Sequence, residues 1–177
     1  MARVGLLNKE QAGPEIREMF QKMEKNGSRV LNVFRAMAHC PQVGYYFLRL
    51  GNSILFQGTV PSTLRELAIL RVGHINQAKY EWTHHVPLAL RMGVREEQID
   101  ALHDWENSGK FNEQERAVLQ YTDEVTRNIR VKDGTFAALR GFLNEEGIVE
   151  LTTTIGYYGM VCRILEALQI ELESPHR

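Results

Sequence analysis

Glu81, His84 and His85 stand within one short run, Tyr80-Glu81-Trp82-Thr83-His84-His85-Val86-Pro87. Spacing of three and four residues puts them on neighbouring parts of one helical surface. A carboxylate in reach of an imidazole is the smallest assembly that moves a proton near neutral pH. The plainer alternative is an i,i+4 ion pair on a wet face. A second carboxylate, Glu66, lies upstream in Thr63-Leu64-Arg65-Glu66-Leu67-Ala68-Ile69-Leu70. That stretch, 61–73, reads as a helix started by Pro61 to Thr63 and apolar on nearly every side from Leu64 onward, as a buried helix is. Glu66 shares a face with Ile69, Leu70 and Gly73, which points its carboxylate into poorly solvated surroundings. The alternative is that Glu66 completes a capping box with Thr63 near the surface, with Ser62 as a second N-cap candidate.

The elements that position these residues read as helix after helix. Residues 14–25 open with Pro14 and stop at Asn26-Gly27. Helices follow at 30–38, at 42–56, then the two motif helices, broken near Asn76, then 95–104. Asn112-x-x-Glu115 is a capping box opening a helix to Asn128. Asp133 caps 133–143, Gly147 is a turn, and 148–172 is last. No stretch shows sustained strand alternation. The expectation is an all-α helical bundle, one domain over 1–177 with its core motif at 61–93. Pro87 either kinks its helix around His85 or opens a new one. The motif helices should pack antiparallel, so Glu66 reaches the later part of the second only through a bend or a neighbouring subunit.

Arg65-Glu66-Leu67, Tyr80-Glu81-Trp82 and His85-x-x-x-Ala89-x-x-x-Gly93 resemble the carboxymuconolactone decarboxylase family, which includes the alkylhydroperoxidase D-like proteins. The resemblance runs from about residue 32 to 168 and is strongest over 61–93. The alkylhydroperoxidase D motif is a C-x-x-C dithiol, a histidine four residues on, and a glutamate twelve residues before the first cysteine. On this chain the histidine falls on His85 and the glutamate on Glu66, but the cysteine positions hold Ala78 and Glu81. Dithiol reduction of a peroxide needs an attacking thiolate and a resolving partner. The two cysteines here, Cys40 and Cys162, lie on different expected helices and away from the motif. Glu81-Trp82 is similar to the decarboxylase-like branch, for which the resemblance implies acid–base chemistry without a cofactor. It also implies a trimer, or a hexamer built from smaller units.

Composition narrows the classes. The 177 residues carry 24% charged side chains and a formal net charge of −1, which leaves no basic footprint for nucleic acid. Two cysteines far apart argue against a disulfide scaffold. The opening seven residues are too short for a signal peptide, and no apolar run approaches the roughly 20 residues of a membrane span. The expectation is a cytoplasmic protein with neither nucleic-acid nor membrane partner. The 14 glycines are scattered singly, so no phosphate-binding loop is present.

The reading that follows is a cofactor-independent enzyme acting on a small organic acid or lactone. His85 is the acid, Glu66 or Glu81 orients it, and Arg65 holds a substrate carboxylate. Tyr80, Trp82 and His84 are candidate substrate contacts. Plainer readings stand beside these: Trp82 as core or subunit interface, His84 as surface, Arg65 and Arg71 as partners of surface carboxylates, Tyr157 and Tyr158 as core. Glu81, His84 and His85 have metal-ligand chemistry but lack a third or fourth ligand in a definite place, so no metal is expected. The apolar load on 42–56 and 148–172 points to self-association. Two rivals remain, an antioxidant protein and a non-catalytic oligomeric domain in which Glu66, Glu81 and His85 form a buried structural network.

Overall fold

The computed structural model describes residues 1–174. Among them the chain is all-helical, with no strand: α1 Pro14–Lys25, α2 Asn32–Met37, α3 Pro41–Phe56, α4 Ser62–Ile75, α5 Lys79–Arg91, α6 Glu96–Ala101 running into a 3-10 turn at Leu102–Asp104, α7 Glu113–Asn128, α8 Asp133–Arg140 and α9 Glu145–Leu168. The helices gather into two compact units. One comprises Met1–Phe56 with the described residues that follow Arg163, the other Gln57–Arg163.

The first unit holds α1 to α3 and is fastened by side chains acting on backbone. The Arg35 guanidinium donates to the carbonyls of Leu6 and Leu7, and Arg3 donates to the Ala167 carbonyl. Gly44 on α3 lies so close to the Met37 carbonyl that a Cβ there would collide with it. α3 buries Phe47, Leu48 and Ile54 yet leaves Val43, Tyr46, Leu50 and Phe56 exposed.

The second unit carries the motif helices. α4 is buried from Leu64 to Gly73. α4 and α5 are joined by Asn76-Gln77-Ala78, where Gln77 adopts a left-handed φ of 54°. Gly73 faces Glu81, while Gly93 faces Thr63 at the far end, so the pair runs antiparallel. α5 continues through Pro87, so no new helix begins there. Between α4, α5, α6 and α7 lies a core that includes Leu67, Leu70, Ala89, Leu102, Trp105 and Leu119. α9 is tied to the segment leading into α4. The Glu150 carboxylate accepts the Thr59 N–H at 2.6 Å, the Thr59 hydroxyl at 2.9 Å and the Val60 N–H at 3.1 Å.

Local signals placed most boundaries, and the departures have local causes. Asn112 and Glu115 form the expected reciprocal box, at 2.9 and 2.8 Å. The second helix is shorter than 30–38. α8 ends at Arg140 and its N-cap is Lys132, with Asp133 already helical. Gly147 is no turn: Asn144 accepts its N–H and α9 starts at Glu145. α9 ends at Leu168 rather than 172, where Gln169 turns left-handed at φ 51°.

Candidate active site

The α4–α5 hairpin delivers its carboxylates to one imidazole. His85 Nδ1 is 2.9 Å from Glu66 Oε2 and Nε2 is 3.1 Å from Glu81 Oε1. Glu66 comes from the adjoining helix and Glu81 from one turn earlier on α5. His85 is 7% exposed, Glu81 5% and Glu66 0%. Glu66 therefore does not complete a capping box: α4 has Pro61 as N-cap with no side-chain cap bond, and the carboxylate lies one turn deeper. The contact forms within one chain, so no neighbouring subunit is needed to bring Glu66 to His85. Antiparallel packing across a three-residue connection supplies the reach.

Two carboxylate oxygens on the two ring nitrogens define a charge state. With both carboxylates ionised, both nitrogens carry a proton to serve both acceptors, which is the imidazolium form. Burial is the largest single influence and pushes the imidazole down, but the bonds and charges of Glu66 and Glu81 together outweigh it and hold the pKa at about 9. An imidazole so held carries its proton at neutral pH. It can give a proton at pH 7; it takes one back only after losing it.

Arg65 is 5% exposed. Its Nε lies 3.8 Å from Glu66 Oε1, too far for a hydrogen bond. Arg65 Nε and Glu66 Oε1 are both buried without a hydrogen-bond partner among the described residues. Tyr80 is buried and its ring packs on His84, centroids 4.6 Å apart. Trp82 is half-buried against the Leu67–Leu70–Ala89 core. The structure thus brings Glu66, Glu81, His85 and Arg65 together, pairs Tyr80 with His84, and sends Trp82 toward the core. Arg71, the other candidate cation, is paired inside the molecule to Asp123. Among the described residues no three His, Cys, Asp or Glu side chains are arranged to hold a metal ion. No helix there is long and apolar enough to cross a membrane.

Sequence pattern missed one neighbour. The Tyr158 ring, from α9, stands edge-on to the His85 imidazole, with centroids 4.9 Å apart and planes at 85°. An aromatic residue on a long apolar helix gives no signal of such a role.

The same helical arrangement occurs in solved structures of the alkylhydroperoxidase D-like class. An uncharacterized peroxidase-related protein from Ralstonia eutropha JMP134 with an alkylhydroperoxidase AhpD core is 18% identical, with a TM-score of 0.85 over 98% of this chain and 93% of that one. The debrominase Bmp8, as a cysteine-to-alanine variant in complex with 2,3,4-tribromopyrrole, is 22% identical, with a TM-score of 0.81 over 98% of this chain and 95% of its own. Uncharacterized protein YdfG of Bacillus subtilis (strain 168) is 29% identical over 114 residues, which is 63% of this chain and 78% of that protein. Residues 41–124 match the model of the Carboxymuconolactone decarboxylase family. Over those residues the chain is similar to that family.

Proposed function

We propose that the protein is a cofactor-independent acid–base enzyme acting on a small organic acid or lactone, with decarboxylation as the leading reaction. The observation that carries this reading is the His85 imidazole held between two buried carboxylates, one on each nitrogen. In a decarboxylation the C–C electron pair passes into a conjugated carbonyl as carbon dioxide leaves. The resulting dienolate takes a proton on carbon from the imidazolium, which becomes neutral imidazole and is recharged from solvent. Glu66 and Glu81 keep that proton loaded and fix the ring, and Arg65 is the group to hold a substrate carboxylate. Acid catalysis of this kind contributes on the order of 10²–10⁴-fold, and the remainder must come from positioning and electrostatics. An isomerisation, a dehydration or a lactone opening uses the same proton inventory.

Thiol-based reduction finds little support in these residues, because Ala78 and Glu81 occupy the dithiol positions. Peroxidase-related and debrominase relatives share the fold, and fold alone does not transfer a reaction. One observation favours a second reading, a buried structural network without catalysis: His85 is only 7% exposed. A panel of unsaturated lactone carboxylates and β-keto acids, assayed for carbon dioxide release and loss of ultraviolet absorbance, separates the two. Turnover by wild type that is lost in His85→Gln supports the enzyme. Turnover unaffected by His85→Gln, or none with any member of the panel, favours the structural network. Consumption of a peroxide that depends on Cys40 or Cys162 would restore the antioxidant rival.

A further inference from the structure

α9 supplies part of this site. Hydrogen bonds from Nδ1 and Nε2 in roughly opposite directions fix the imidazole along one axis and leave it a rocking motion about that axis. The Tyr158 ring, packed at 85° to the imidazole, opposes that motion. Tyr157 stands edge-on to Tyr158 in turn, centroids 5.2 Å apart and planes at 83°, so the Tyr158 ring is itself braced. Tyr158 is 3% exposed, which makes it one of the walls separating the imidazole from water. Aromatic pairs in this edge-to-face arrangement attract beyond simple burial.

We propose that Tyr158 is a positioning residue for His85: its ring holds the imidazole in line with Glu66 and Glu81 and keeps water from the two N–H···O bonds. α9 would then hold the site at two places two helical turns apart. Glu150 fastens Thr59 and Val60, just ahead of the helix that carries Glu66, and Tyr158 braces the histidine of the facing helix. A Cβ at Gly58 would run into the Glu150 carboxylate, so the first of these contacts depends on a glycine there. The consequence for turnover rests on the acid–base reading above; the positioning itself does not.

The ionisable groups around His85 are Glu66 and Arg65 from α4, Glu81 and the adjacent His84 from α5, and Tyr157 and Tyr158 from α9. Burial first, and then the charges of Glu81 and Glu66, hold the Tyr158 phenol well above its ordinary value. Burial and Glu81 do the same for Tyr157. Both phenols therefore stay neutral across the range in which the imidazole titrates.

The test is an NMR titration of the His85 imidazole in the full chain as wild type, Tyr158→Phe and Tyr158→Leu. Phe keeps the ring, and the His85 pKa should stay within about 0.3 units of wild type. Leu admits water, which relaxes both the burial penalty and the carboxylate attraction toward solvent values. The pKa should then fall by about one unit or more, toward the ordinary 6.5. A folded Leu variant titrating like wild type overturns the proposal, as does a Phe variant that shifts as far as Leu, which would assign the effect to the hydroxyl. If the Leu variant does not fold, Tyr158→Met is read by the same criterion. None of these readings uses turnover, so failure of the proposed reaction and failure of this inference remain distinguishable.

Discussion

α4 carries two buried ionic clusters barely two turns apart, and they are finished differently. Arg71 meets Asp123 through two short bonds, Nε to Oδ1 at 2.6 Å and Nη2 to Oδ2 at 2.7 Å. Its remaining arm donates to the Leu102 carbonyl at 2.8 Å, and the Trp105 indole N–H lies 3.5 Å from Asp123 Oδ2. The Arg65–Glu66–His85–Glu81 cluster is equally deep, yet Arg65 Nε and Glu66 Oε1 stay unsatisfied. Buried polar groups normally find partners, and exceptions ask for a reason. A network with its bonds complete rigidifies a core. One that departs from local consistency is where function is expected.

That contrast can be broken most severely from the completed side. Asp123→Ala leaves the Arg71 cation buried without its counter-ion, and chemical denaturation should register a loss of about 3–5 kcal/mol. Glu66→Gln, at the unfinished cluster, should cost less stability in the same measurement because the amide still offers an acceptor to His85. If the two losses were equal, the distinction between the clusters would fail.

Turnover provides the reverse ordering. His85→Gln keeps approximate size and hydrogen bonding but removes the titrating group, so the rate should fall by about 10²-fold or more with the circular dichroism spectrum unchanged. Glu66→Gln should lower the rate less and move the pH–rate profile to lower pH, because one of the charges holding the imidazolium is gone. His84→Gln, whose ring packs on Tyr80, should change the rate only slightly.

The pH dependence of stability carries a definite sign. The folded protein holds the His85 pKa at about 9, above the ordinary 6.5. A raised pKa stabilises the folded state in full below the unfolded value, and that contribution fades as pH rises through about 9. Urea midpoints measured from about pH 6 to 10 should decline over this window in wild type and decline less in His85→Gln. Parallel curves would contradict the imidazolium assignment. The smallest expected change is in the Cys40→Ser/Cys162→Ser double variant. Its turnover should stay within a few-fold of wild type, with some packing lost at the buried Cys162.

Legibility in the sequence followed the range of the interaction. The α7 start was plain because Asn112 and Glu115 cap one another within four residues, and α1 was plain because Pro14 and Asn26-Gly27 bracket it. Gly147 misled because a glycine between two helical patterns suggests a turn, whereas the Asn144 side chain three residues earlier had already started α9. Glu66 and His85 were recognisable as candidates by type and spacing. Their direct contact was not, since it depends on the register of two antiparallel helices and on a left-handed Gln77 between them. Tyr158 was hidden for the same reason, its partner being supplied by packing rather than by neighbours in sequence.

Glu81 stands where the C-x-x-C motif compared with this sequence would put its second cysteine, and a carboxylate has no oxidation ladder to climb. The anion facing the His85 Nε2 is therefore the same in an oxidising and in a reducing milieu. Its charge does not follow the thiol–disulfide poise of the surroundings, and no electron donor has to restore it between one event at the site and the next.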